Sequence, residues 1–393
     1  MREPDALHPG GEKPSLPNPF LVCVHPCSSL VELPFLGSAS LVRHSPVRSE
    51  EESRPRRRSD LISGTRRARP SGFPRRRAWP AVRGFSILVA IVLVIGLRAA
   101  ETVEQPFQGV TYIERTETAP RPLRMHILKV DLAAPGIRFK LTPPSGALET
   151  VRQTPLEFLK QEHAQAAING HFFLPFPSPD TAVTLVGFAA SEGKVFSAFE
   201  SPVQSYALVA NVPALNIDVS NQVSVVHHDS AMPGGSNVIE KDLIWNAISG
   251  SAQIVTEGVK TIPEYLDAEH ASGLLTPGGP NNYSNARSWY SAMNARTAIA
   301  VSRDRRILVL FTVDARGGSS GMTVGEVADV LIQDYGAFNA LNLDGGGSTS
   351  LALENPATHE ATLRNTSSDN PNGRAVGSNL ALFALPTPVA AGR

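Results

Sequence analysis

Apolar and polar residues alternate along much of the chain after position 120. Ile137-Arg138-Phe139-Lys140-Leu141 alternates cleanly, and Met125 to Leu132 alternates well enough for a strand. Gln165 to Ile168, Val183 to Ala189, Tyr206 to Val212 and Leu215 to Val219 also read as strands. Thr154 to Glu162 reads as a short helix, with Pro155 at the first helical position, where its missing N–H costs nothing. Arg306 to Val313 is an apolar strand with Asp314 at its C-terminal end. Thr323-Val324-Gly325-Glu326 is a capping box that opens a helix running through Asp334. Val327, Val330 and Leu331 give this helix an i, i+3, i+4 apolar face, and Tyr335-Gly336 closes it. Ala340 to Leu343 is the next strand, with Asp344 at its end.

The strand–helix–strand run from 306 to 343 suits a right-handed crossover between parallel neighbours. Such a unit puts Asp314 and Asp344 at one sheet edge, where ligands of α/β units bind. Elsewhere strands alternate with loops. The expected fold class is therefore α+β: a mixed β-sheet core with few helices and one parallel strand–helix–strand unit carrying the site. Ala268 to Met293 is rich in Gly, Pro, Asn and Ser and reads as a long loop, a kind of segment that is often functional.

Residues 338–351, Phe-Asn-Ala-Leu-Asn-Leu-Asp-Gly-Gly-Gly-Ser-Thr-Ser-Leu, are the densest in chemistry. Three adjacent glycines cost conformational entropy, which a fold accepts where backbone takes φ > 0 or approaches a ligand closely. Successive exposed N–H groups in such a loop form an anion-binding concavity. Gly345, Gly346, Gly347, Ser348 and Thr349, with Asn342 before them, are thus candidate phosphate or sugar binders, and a Cβ at Gly346 is expected to obstruct the anion. A plain turn after a buried strand is the alternative. Asp344 and Asp314 are the candidate catalytic pair, since two carboxylates at one sheet edge can divide the work of an acid and of a base or nucleophile; each could instead cap a loop. Arg296 and Arg374 are candidate phosphate clamps because arginine presents paired planar donors, although a structural ion pair explains either one. Asn169 is a candidate substrate binder, or an ordinary Asn-Gly turn residue. His171 could touch the substrate, although a lone histidine is more often structural. His227-His228 have no carboxylate or cysteine at ligand spacing, so neither metal nor cofactor is expected. Trp289-Tyr290 could stack on a sugar face or anchor the long loop.

These motifs also resemble a known family. Asn342-Leu343-Asp344-Gly345-Gly346-Gly347-Ser348-Thr349 resembles the signature of the phosphodiester glycosidases. Further blocks follow the same order. Ala167-Ile168-Asn169-Gly170-His171-Phe172-Phe173 resembles the family's AINGGFF block. Asn246 to Gly250, Ala295-Arg296-Thr297-Ala298 and Val313-Asp314-Ala315-Arg316 resemble three more. Gly321-Met322-Thr323 through Tyr335-Gly336 resembles the helix before the glycine loop, and Asn365 with Arg374-Ala375-Val376 the closing block. His171 stands where the family has glycine and Ala295 where it often has proline. The resemblance implies hydrolysis of a sugar-1-phosphodiester, such as one of N-acetylglucosamine, to free sugar and phosphomonoester.

Charge divides the chain. Residues 43–83 hold 13 arginines and four acidic residues, whereas after position 83 there are 21 basic and 28 acidic residues. Residues 1–83 read as a disordered Arg/Pro-rich leader. Residues 84–100 read as a signal-peptide core or membrane anchor: 84–97 are 14 uncharged residues, short for a span and suited to a signal core. So long a leader before such a core suggests that the true start lies near Val82. Residues 101–388 form the expected catalytic domain. Cys23 and Cys27 are the only cysteines, so the exported part has no disulfide or thiolate chemistry.

The reading is an exported, extracytoplasmic hydrolase acting on a sugar-phosphate or cell-envelope glycan. Nucleic acid is not an expected partner for the acidic domain. Membrane contact is expected only through residues 84–97, if they are uncleaved. Two alternatives stay open. One is a Ser-His-Asp esterase built on Gly317-Gly318-Ser319-Ser320-Gly321, with His359 as base. The other is a non-catalytic sugar-phosphate-binding surface domain.

Overall fold

Several strands are apolar on both faces because both faces of the main sheet are covered. A computed structural model describes residues 100–176, 178–199, 212–262, 292–368 and 370–387. The leader, residues 84–99, both cysteines, Trp289-Tyr290, and nearly all of the expected 206–212 strand and 268–293 loop lie outside the described residues.

The largest sheet has eight strands. In spatial order they are β1 (Ala100–Phe107), β2 (Val110–Glu117), β3 (Leu123–Asp131), β17 (Ile307–Val313), β16 (Arg296–Ser302), β18 (Ala337–Asn342), β14 (Ala252–Thr256) and β15 (Val259–Lys260). A second sheet holds β20 (Ala361–Leu363), β19 (Leu351–Glu354), β6 (Ala166–Asn169), β21 (Asn379–Phe383) and β4 (Arg138–Leu141). A third holds β10 (Lys194–Ser197), β9 (Ala189–Ser191), β13 (Asn246–Ser249), β11 (Ala214–Ile217) and β12 (Val223–Val226). The smallest holds β5 (Thr150–Val151), β8 (Ala182–Leu185) and β7 (Phe173–Leu174). Two α-helices stand among the described residues, α1 (Pro155–Glu162) and α2 (Val324–Gln333).

Strand alternation sorts the core into layers. In β16, Ile299 and Val301 enter the central cluster, while Ala298 and Ala300 face a second cluster. Leu308 and Leu310 of β17 likewise oppose Val309, Phe311 and Val313. Helix α2 covers the second cluster with Val324, Val327, Ala328 and Leu331. The second sheet mirrors this arrangement: Ile168, Leu351 and Leu380 face the central cluster. Ala167, Ala352 and Ala381 face Leu156, Phe158 and Leu159 of α1. Both helices begin at complete capping boxes, Thr154 with Glu157 and Thr323 with Glu326, so their starts are locally encoded.

Among the described residues every strand pairing is antiparallel, so the expected mixed sheet with a parallel unit is not found there. β17 pairs with β16 antiparallel, and β16 pairs with β18 antiparallel. β17 and β18 therefore run the same way, with β16 between them. The crossover through α2 skips one position because the segment 296–302 fills it. The inferred consequence survives: Val313 lies opposite Arg296 and Asn342 opposite Ala298, so Asp314 and Asp344 leave the sheet at one edge.

Candidate active site

The glycine loop is the link by which the chain leaves the main sheet at β18 and enters the second sheet at β19. Asn169, the last residue of β6, fastens this crossing. Its Nδ2 donates to the Asp344 carbonyl at 2.7 Å, and its Oδ1 accepts from Thr297 Oγ1 at 2.8 Å and the Ser350 amide at 3.0 Å. The Asp344 amide donates to Gly170 O at 3.0 Å, and that of Leu343 to Thr297 O at 2.8 Å. Asn169 is fully buried and acts as a staple between two sheets and the loop. It is not presented to a substrate as the sequence suggested.

Asp344 sits at the start of the loop with 7% of its surface exposed. Burial pushes its carboxyl up to about 7, against the opposing pull of the Ser348 hydroxyl, the Arg374 guanidinium and the Gly345 amide. Arg374 donates to Ser348 Oγ at 3.3 Å and lies over the Phe176 ring at 5.0 Å. Asp344, Ser348 and Arg374 are thus brought together: a carboxyl poised to titrate near neutrality, a hydroxyl and a half-buried cation. Two further polar atoms on this crossing, Thr349 Oγ1 and Asn342 Oδ1, are buried without a protein partner. The Asn342 Nδ2 donates to Ser251 Oγ and to Leu343 O, both at 2.9 Å.

The loop is not a row of free amides. Residues Gly346–Ser348 form a 3₁₀ turn. The amides of Gly346, Ser348 and Thr349 donate to the carbonyls of Ala295, Gly345 and Gly346, at 2.8, 3.1 and 3.2 Å. The Gly345 amide acts on the Asp344 carboxylate. The continuous cradle expected from three glycines is therefore largely consumed by the turn. The glycines have separate reasons. Gly346 takes φ +60, a left-handed conformation that a side chain strains. A Cβ on it would meet the Asn294 side chain at 3.4 Å. A Cβ on Gly347 would overlap the Arg374 guanidinium. Close approach to the cation, not to a bare anion, explains this residue.

Asp314 is placed otherwise than the pairing argument required. It is 0% exposed. Its Oδ1 accepts from Asn365 Nδ2 at 3.1 Å, the Thr366 amide at 2.9 Å and Ser367 Oγ at 2.9 Å. Its Oδ2 faces His126 Nε2 at 3.5 Å, and His126 Nδ1 meets the Tyr112 hydroxyl at 2.8 Å. Asn365 also donates to Thr349 O at 2.9 Å and accepts from the Leu351 amide at 2.7 Å. Asp314 therefore orders the 365–367 segment and, through Asn365, the far side of the glycine loop. Its Oδ1 is engaged within the protein, whereas Oδ2 and the facing His126 Nε2 are buried without a hydrogen-bond partner, and at 0% exposure the carboxylate is not open to a substrate beside Asp344.

Arg296 is likewise internal. It is 4% exposed, and its Nε and Nη2 donate to the carbonyls of Met322 at 3.1 Å and Ala292 at 2.6 Å. Burial lowers its pKa to about 10. It ties β16 to the start of α2, which corrects its expected role as an open clamp. His171 is fully buried and structural. The Ser249 amide donates to its Nε2 at 2.9 Å, and its Nδ1 lies 2.8 Å from Ser378 Oγ. His227 pairs with Glu240 at 2.7 Å, and no cluster of ligating residues stands among the described residues. The esterase reading finds no support: Ser319 Oγ donates to Asp314 O at 2.6 Å and accepts from the Arg124 amide at 3.1 Å. His359, exposed, pairs with Glu354 at 2.9 Å.

Sequence reasoning missed Arg152. Its guanidinium lies over Phe173 at 5.0 Å, and Phe173 meets Phe176, the ring under Arg374, edge to face at 5.6 Å. A single arginine between Val151 and Gln153 carries no spacing signal that could have flagged it.

The profile of the phosphodiester glycosidase family matches residues 162–383, more than half of the chain. The chain belongs to the phosphodiester glycosidase family. Its fold is also similar to several solved structures. One is a protein of Burkholderia pseudomallei K96243, at 15% identity and TM-score 0.48, covering 74% of this chain and 97% of that one. Another is a Synechocystis protein, at 16% identity and TM-score 0.44, covering 73% and 68%. A third is the catalytic domain of zebrafish N-acetylglucosamine-1-phosphodiester alpha-N-acetylglucosaminidase, auto-inhibited by its pro-peptide, at 19% identity and TM-score 0.47, covering 72% and 88%. No curated protein matches the chain.

Proposed function

We propose that the chain is an exported hydrolase that splits a sugar-1-phosphodiester into free sugar and phosphomonoester. The observation that carries the reading is the grouping of Asp344, Ser348 and Arg374 on the family's glycine loop, with the Asp344 carboxyl held near neutrality by burial. Membership of the family supports the reaction class. In this reading Asp344 in its ionised form takes a proton from the attacking water, the bond from water oxygen to the anomeric carbon forms, and the bond from that carbon to the phosphate oxygen breaks. Phosphate leaves as a stable anion, so proton donation to it matters less. Arg374 holds the phosphate with the charge-assisted donors suited to that group. Asp314, Asn169 and Arg296 keep the loop in place. Export rests on the apolar run 84–97 behind an arginine-rich stretch.

The test is to incubate the purified protein with N-acetylglucosamine-1-phosphodiesters and a panel of other glycosyl phosphodiesters, measuring free sugar. Release from at least one donor is expected. Binding of the diesters without release from any would leave a sugar-phosphate-binding domain and remove the hydrolase.

A further inference from the structure

Two arginines share one aromatic shelf beside the glycine loop, and only Arg374 has a task so far. Arg152 comes from the segment between β5 and α1, ahead of the residues matched by the family profile. The Gln153 amide donates to Val376 O at 3.0 Å and the Val376 amide to Gln153 O at 3.1 Å, which fixes Arg152 beside the strand segment that bears Arg374. The two guanidinium groups lie on Phe173 and Phe176 respectively. They are near enough for Arg374 to help lower the Arg152 pKa, after desolvation and against the opposing effect of the exposed Asp180. Asp180 offsets this repulsion from the exposed side of Arg152, and an anion bound against both guanidinium groups would offset it further. Arg152 donates to Ser178 O at 2.8 Å and to Pro175 O. That leaves three of its five N–H donors, and one of these, on Nε, is buried without a partner.

The groups follow one another in the order Asp344, Ser348, Arg374, Arg152. A glycosyl phosphodiester has the matching order of anomeric carbon, bridging oxygen, phosphate and aglycone. We propose that Arg152 reads the aglycone side and selects substrates whose aglycone carries a second anionic group, a phosphate in the first instance. This rests on the phosphodiester reading of the site but concerns binding alone, so the two can fail separately.

The test uses a matched pair of N-acetylglucosamine-1-phosphodiesters, one with a glycerol aglycone and one with glycerol phosphate. Their dissociation constants are measured by calorimetry on the full chain carrying Asp344→Asn, with and without Arg152→Gln or Arg152→Lys. The glycerol phosphate diester is expected to bind about tenfold tighter, on the scale of one added charge-assisted contact. Arg152→Gln should erase that preference, and Arg152→Lys should keep most of it. Equal binding of the two diesters, or a preference that survives Arg152→Gln, overturns the proposal. A lowered melting temperature with the preference intact would mean that Arg152 only holds the 175–178 turn. Turnover by the unaltered protein is scored separately: preference without turnover keeps this inference and sinks the hydrolase, whereas turnover without preference does the reverse.

Discussion

A carboxyl that the fold favours in its neutral form, and that the proposed reaction needs ionised, sets function against stability at one residue. Asp344 has a folded pKa of about 7 against an ordinary 3.8. The stability tied to its neutral form is fully present below 3.8 and is lost as pH rises through about 7. Asn is nearly isosteric and always neutral. Asp344→Asn should therefore raise the melting temperature at pH 8 and leave it nearly unchanged at pH 3, while turnover falls roughly 10²–10⁴-fold. If the proposed reaction holds, kcat/KM of the unaltered protein should rise with pH through about 7, the limb belonging to Asp344. Thermal melts at both pH values and a pH–rate profile check this. An activity that falls through that range would recast Asp344 as an acid. The glycines separate in the same way. Gly346→Ala should lower the melting temperature through strain at φ +60, on the order of 1 kcal/mol, with phosphodiester affinity largely kept. Gly347→Ala must displace Arg374 and should weaken phosphodiester binding about tenfold or more, on the scale of a charge-assisted contact. Binding of free sugar should change little. Equal losses for both ligands would mean that Arg374 does not hold phosphate.

Individual elements were legible where local chemistry specifies them and illegible where partners do. Thr323-Val324-Gly325-Glu326 placed the start of α2 because capping is a matter of four residues. Ile307–Val313 was visible as an apolar run because both faces of β17 are buried. Val183 to Ala189 looked like one strand but divides into β8 and β9, which join different sheets. The neighbour of β17 was misjudged because nothing in 306–343 says that a strand from 296–302 will fill the space between. His171 shows how sequence-distant elements are joined. Its ring links the end of β6 to Ser249 of β13 and to Ser378 just before β21. Its pKa is lowered to about 4 by burial, from 6.5. The stability it gives is present above 6.5 and lost as pH falls through about 4. His171→Ala leaves the buried Ser249 amide without its ring acceptor and opens a cavity. We expect a loss of about 2–4 kcal/mol at pH 7.5, with a shallower decline between pH 6.5 and 4 than the unaltered chain. Urea melts across that range test it; parallel curves for the two proteins would show that His171 is not the acid-sensitive group.

At the scale of the molecule the site has no local existence. Asn169 ends a strand of the second sheet, Thr297 lies in the main sheet, Asp344 begins the link between them, and Asn365 and Arg374 arrive later still. Residues read from the sequence as a candidate site do meet at this crossing, but their tasks could not be divided from the sequence. Whether Asp314 faces a substrate or the 365–367 segment depends on the packing of Ser367 and Asn365 around it, more than fifty positions away in the chain. The same dependence predicts how the protein fails. Because the loop is stapled to both sheets by Asn169, it cannot loosen without parting them. In urea, loss of phosphodiester turnover should coincide with loss of sheet structure by far-ultraviolet circular dichroism, as a single cooperative transition. Asn169→Ala should uncouple them. With the staple gone the Asp344 carbonyl and the Thr297 hydroxyl lose their partner, and activity should vanish at a lower urea concentration than the sheets. If activity instead fades first in the unaltered protein, the site is held by the loop alone, and the role given to Asn169 is wrong.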